Sequence, residues 1–106
     1  IADYSAALER DASSLDAQLN RGVSHYRQEQ FQQAIEDFSA VLQARPDSTK
    51  ARYYRGNARF QSAQYEAAIE DYRRVVEANP DNSDAMYNLG ISYIRLAEQV
   101  EGAQSE

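Results

Sequence analysis

The sequence predicts an all-α protein, a solenoid built of antiparallel helix pairs with about six helices. Three observations predict it. The chain matches itself when slid by 34 residues. Each matching stretch carries apolar residues at helical spacing. The composition is rich in the helix formers alanine, glutamine, glutamate and arginine, with only two prolines.

The repeat is plain in residues 33–48, QAIEDFSAVLQARPDS, which lie over residues 67–82, AAIEDYRRVVEANPDN. The same offset brings NRGVSHY at 20–26 onto YRGNARF at 54–60, and both onto NLGISYI at 88–94. IADYSAAL at 1–8 falls on IEDFSAVL at 35–42. Gly22, Gly56 and Gly90 are therefore equivalent, as are Asp3, Asp37 and Asp71.

Each unit reads as two helices. Ser14, Ser48 and Asn82 occupy equivalent places and are good N-caps, each for the first helix of a unit. In the second complete copy a first helix is expected over about 49–62, with Ala51, Tyr53, Tyr54, Ala58 and Phe60 at helical spacing. A break near 62–64 precedes a second helix over about 65–78, where Tyr65, Ala68, Ile69, Tyr72, Val75 and Val76 mark one face. Pro80 ends the unit, since a proline pushes the residue before it out of helix.

The register divides a single domain, 1–106, into four parts. Residues 1–14 read as the second helix of a truncated repeat, followed by repeats at 15–48 and 49–82. Residues 83–106 read as the first helix of a last repeat or as a capping helix. Gln99 stands where Phe31 and Tyr65 stand, and Gly102 where Ala34 and Ala68 stand. The last helix is therefore expected to continue past Ala97 or to fray. A chain that opens on Ile1 reads as a processed protein or a piece of a longer one.

With its 34-residue helix–turn–helix period the sequence resembles the tetratricopeptide repeat family. Ala34 with Phe38, and Ala68 with Tyr72, match that family's alanine and aromatic on the second helix. Pro46 and Pro80 match its terminal proline, and the three equivalent glycines its small first-helix residue. The usual tryptophan place holds Gln18, Arg52 and Met86, and the tyrosine place holds His25, Arg59 and Tyr93. The resemblance implies a right-handed superhelix whose first helices line a concave face that takes up partner peptides. Mapped by the repeat, the partner-binding candidates are Asn20, Arg27, Lys50, Tyr53, Tyr54, Asn57, Tyr87 and Asn88, with Asp16, Val23, Asp84 and Ile91 beside them. Amides pair with peptide backbone, and tyrosines give contact area at low entropy cost. The carboxylate clamp of the family's chaperone cofactors is incomplete here. Asn57 and Asn88 match two of its asparagines, but Tyr53 replaces its first lysine.

The expected function is thus non-enzymatic: a protein–protein interaction module with a scaffold or adaptor role. The chain has no cysteine and a single histidine, His25, which excludes thiolate chemistry and multi-histidine metal sites. No cofactor is implied, and no catalytic constellation is present. A net charge of −6 argues against broad nucleic-acid binding, although Arg52, Arg55 and Arg59 with nearby tyrosines form one candidate surface for it. The apolar runs are too short to span a bilayer, and no signal peptide is visible, so a cytoplasmic location is the default expectation. Self-association through exposed solenoid ends is the alternative function, with Tyr4, Leu8, Tyr93, Ile94 and Val100 as candidate contacts.

Two further expectations concern packing. A glycine inside a helix costs about 0.5–1 kcal/mol relative to alanine, and close approach of a second helix is the simplest reason for it. Arg21 and Arg55 are expected to pair with Asp37 and Asp71, within each unit or between neighbours, for example Asp37 with Arg55.

Overall fold

The computed structural model describes the backbone from residue 4 to 105 and the side chains from 14 to 102. Among the described residues five helices follow one another: α1 (Tyr4–Arg27), α2 (Phe31–Ala44), α3 (Thr49–Gln61), α4 (Tyr65–Ala78) and α5 (Ser83–Ser105). No strand occurs among the described residues. Each helix packs on the next, and α3 also touches α1 and α5, so the described fold is an elongated all-α solenoid.

The count is five rather than about six because α1 runs unbroken through Ser14. Ala12 stands where Pro46 and Pro80 end the corresponding helices. Without a proline, no backbone donor is lost and nothing stops the helix. Ser14, expected as an N-cap, is therefore inside α1. Ser48 and Asn82 do cap: the Ser48 hydroxyl accepts from Ala51 N–H at 3.3 Å, and Asn82 Oδ1 from Ala85 N–H at 3.0 Å. The candidate contacts Tyr4 and Leu8 lie outside the residues whose side chains are described.

Helices α1 and α3 end alike. Glu29 and Ala63 take φ of 62° in the left-handed region. Gln30 N–H then reaches the His25 carbonyl at 2.8 Å, and Gln64 N–H the Arg59 carbonyl at 2.8 Å. The partner bonds of shorter sequence span run from Glu29 N–H to the Tyr26 carbonyl and from Ala63 N–H to the Phe60 carbonyl, both at 3.0 Å, which completes a Schellman end in both places. Ala97, the next equivalent, stays helical, and α5 continues to Ser105. With Gln99 and Gly102 at the apolar places, turning back would bury nothing, so good helix formers simply carry on.

The core lies between paired helices. Ala34, Phe38, Ala51, Ala58, Ala68 and Ala85 are fully buried, with Tyr72, Val41 and Val75 nearly so. Small residues let the axes approach, and aromatics fill the space between. A Cβ on Gly22 would stand 2.7 Å from Phe38 Cε1, and one on Gly56 2.9 Å from Tyr72 Cε1. Close approach thus accounts for two of the glycines. It does not account for Gly90, where a Cβ would meet nothing within 4 Å, since α5 does not turn back on itself among the described residues.

Candidate functional site

Helices α1, α3 and α5 lie side by side, with α3 central. Asn20, Arg27, Lys50 and Tyr54 are brought together with Val23, Ser24 and Gln28 around a cavity of about 370 Å³. Tyr53, Asn57 and Asn88 line a second cavity of about 240 Å³ with Tyr26, Phe60, Gln61 and Tyr72. The rings of Tyr53 and Tyr54 meet edge to face at 5.8 Å and join the two. Tyr87, the remaining candidate, is 70% exposed and lines neither. Asp16 is turned to Arg45, 3.2 Å away.

The first cavity is cationic and open. Arg27 and Lys50 are exposed and have no ion-pair partner among the described residues. The second is a polar network. The Tyr72 hydroxyl donates to Asn57 Oδ1. Asn88 Nδ2 donates to the same oxygen at 3.3 Å and to the Tyr53 hydroxyl at 3.2 Å. Burial first, then the neighbouring Tyr53, Tyr26 and Asp71, pushes the Tyr72 hydroxyl far above the usual phenol range, so it remains a donor. Burial, with Tyr53 and Tyr54, raises Tyr26 as well.

Tyr72 and Tyr26 were not among the residues that sequence reasoning assigned to this surface. A signal existed in the repeat itself. The first complete unit has Val23 and Phe38, and the second has Asn57 and Tyr72 at the same two places. Two polar groups arriving together at equivalent core positions mark a hydrogen bond. Tyr54 is also more than a surface residue: it lies 5.9 Å from Phe38, stacked, and 5.9 Å from Tyr26, edge to face.

On the other side of α3 the arginines are engaged with acids. Arg21 grips Asp37 through Nη2 at 2.6 Å and Nε at 3.0 Å. Arg55 grips Asp71 in the same way at 2.8 and 2.9 Å. Both pairs form within a unit. Arg55 does not reach Asp37 across units but donates to Ser39 Oγ at 3.2 Å. Arg59 adds a third hydrogen bond to Asp71, at 3.0 Å. Burial pushes the Asp37 carboxyl up, but Arg21, with Gln18 and His25, outweighs it and holds the group below its ordinary value. Burial lowers the Arg59 guanidinium, and the charge of Arg55 adds to that against the pull of Asp71.

The described residues hold no cluster of three or more histidines, cysteines or acids fit for a metal ion. No helix among the described residues is long and apolar enough to cross a membrane.

A model of the tetratricopeptide repeat matches residues 1–49 and 22–70, and a second TPR repeat model matches residues 56–96. The chain belongs to the tetratricopeptide repeat family. Among solved structures, the crystal structure of MamA superposes with a TM-score of 0.78 at 27% identity, over 90% of this chain. The chain spans 56% of that MamA chain. No curated protein sequence matches. Tetratricopeptide repeats are generally protein–protein interaction modules and typically non-enzymatic.

Proposed function

We propose that this tetratricopeptide repeat chain is a scaffold or adaptor that binds an extended peptide or protein segment along α1, α3 and α5. One observation carries the reading: two cavities adjoin at Tyr53 and Tyr54 and are lined by amides, tyrosines and two exposed cations without an ion-pair partner among the described residues. Asn20, Ser24 and Gln28 suit a peptide backbone, and the tyrosines offer rigid contact area. An extended segment advances about 3.3 Å per residue, so a handful of residues would span both cavities.

The test is a peptide-array selection followed by titration of the best binder. Substituting Lys50→Ala with Tyr87→Ala touches only exposed side chains. At least a tenfold loss of affinity with unchanged helix content is expected. Unaltered affinity would refute the groove. Tyr54→Ala is a poor probe, because that ring also packs on Phe38 and Tyr26.

Self-association is a second reading, favoured by α5. Met86, Tyr93, Ile94 and Val100 are each about half exposed there. Unpaired apolar side chains of this size on one helix invite a partner surface. Sedimentation at increasing concentration decides it: a constant monomer mass excludes assembly by this helix.

A further inference from the structure

Helix α3 presents opposite faces to two different environments. At about 100° per residue, Lys50, Tyr53, Tyr54 and Asn57 fall on one side, and Arg52, Arg55 and Arg59 on the other. The arginine face opens on a separate cavity of about 160 Å³, lined by Arg52, Arg55, Arg59, Glu70, Asp71 and Arg74. We propose that this cavity is a binding site for a phosphate group, free or carried on a partner's side chain.

Four arginines meet two acids there, in a chain whose net charge is −6. The acids are already committed. Asp71 is shared by Arg55 and Arg59, and Glu70 faces Arg73 at 3.5 Å. Arg52 gives one nitrogen to the Pro46 carbonyl at 2.7 Å. Arg74 has no hydrogen-bond or ion-pair partner among the described residues. Arg59 Nε is buried without an acceptor, so Asp71 does not saturate that guanidinium. The excess positive charge is also what Arg59 experiences from Arg55.

The repeat contains its own control. Thirty-four residues earlier the same scaffold carries Gln18, Arg21, His25, Glu36, Asp37 and Ala40. There a single arginine stands against two acids, so no excess of cations arises. Arg52, Arg59 and Arg74 are additions to that frame. Packing does not require them, since α1 and α2 pair without them. Guanidinium groups converging from two helices suit a small tetrahedral dianion with several acceptor oxygens. The cavity's size suits a single phosphate group rather than a folded partner.

The experiment titrates the whole chain with inorganic phosphate, with a phosphoserine peptide and with its unphosphorylated form. Chloride at matched ionic strength is the blank. At about pH 8 the phosphate monoester is fully ionised. Saturable binding is expected for both phosphate probes and for neither control, and a tighter phosphopeptide would identify a modified partner as the source. Arg52→Gln with Arg74→Ala copies the first unit's residues at exposed and half-exposed places. It should weaken both phosphate probes at least tenfold. Arg74→Glu alone should do the same, and covers the case in which the double variant folds poorly. Equal binding by the variants, a chloride response equal to that of phosphate, or a single-stranded oligonucleotide that displaces the phosphopeptide would overturn the proposal.

Discussion

The Tyr72 hydroxyl donates to Asn57 Oδ1 from α4 to α3, at the place where the preceding unit sets Phe38 against Val23. The same backbone arrangement therefore holds one unit with an apolar contact and the next with a hydrogen bond. Tyr72→Phe should cost about 1 kcal/mol, the typical net value of such a bond. Tyr72→Phe with Asn57→Val, the first unit's combination, should cost less than the sum of the two single variants, because each single change removes the same hydrogen bond. Urea unfolding of the two single variants and the double variant measures the coupling.

The glycines separate by what faces them. Gly56→Ala should destabilise by about 1–3 kcal/mol, because its methyl would press on the buried Tyr72 ring, 2.9 Å from an ideal Cβ. Gly90→Ala should stabilise by about 0.5–1 kcal/mol, since the methyl meets open space and the helix gains propensity. Thermal midpoints moving in opposite directions would establish the distinction.

Ala63 holds a left-handed backbone at φ 62° to end α3. A side chain there is strained, and glycine is not. Ala63→Gly should raise stability by about 0.5–1 kcal/mol in the same unfolding assay.

Asp37 gives the fold an acid limit. Its folded-state value lies below the ordinary carboxylate value of about 4. A lowered folded value means that the stabilisation is present above the unfolded value and is lost as pH falls through the folded one. Denaturant midpoints should therefore decline below about pH 4. Asp37→Asn should flatten that decline while lowering stability at neutral pH, because the Arg21 grip is weakened.

Much of the fold was readable because the repeat multiplies every signal. The helix pairs, an Arg–Asp pairing that the sequence left open within or between units, and the caps at Ser48 and Asn82 all recur at one offset. The merged α1 was missed because the register of residues 1–8 looked like a separate helix, while the decisive signal was an absence: Ala12 in the place of a proline. Gly90 was misread for a related reason. Its sequence position is equivalent to Gly56, but equivalence in sequence does not supply a neighbour, and among the described residues nothing stands within 4 Å of its Cβ position. The candidate groove residues were read from one helix at a time. The Tyr72–Asn57–Asn88 network joins three helices, and a side chain from α4 enters a surface attributed to α1, α3 and α5 alone.

Neighbouring units also decide how hard a given ion pair is to disturb. Arg21 and Arg55 hold their aspartates with the same two-pronged geometry, yet the Arg21 side chain is 64% exposed and that of Arg55 17%. The difference is α2, which lies over Arg55 and supplies the Ser39 hydroxyl. Dissolved ions screen an exposed pair and leave a sheltered one nearly untouched. Sequence-identical bonds in this molecule are thus soft to salt at one address and firm at the other. The helix stacked alongside sets which, so stiffness here belongs to the array rather than to the motif.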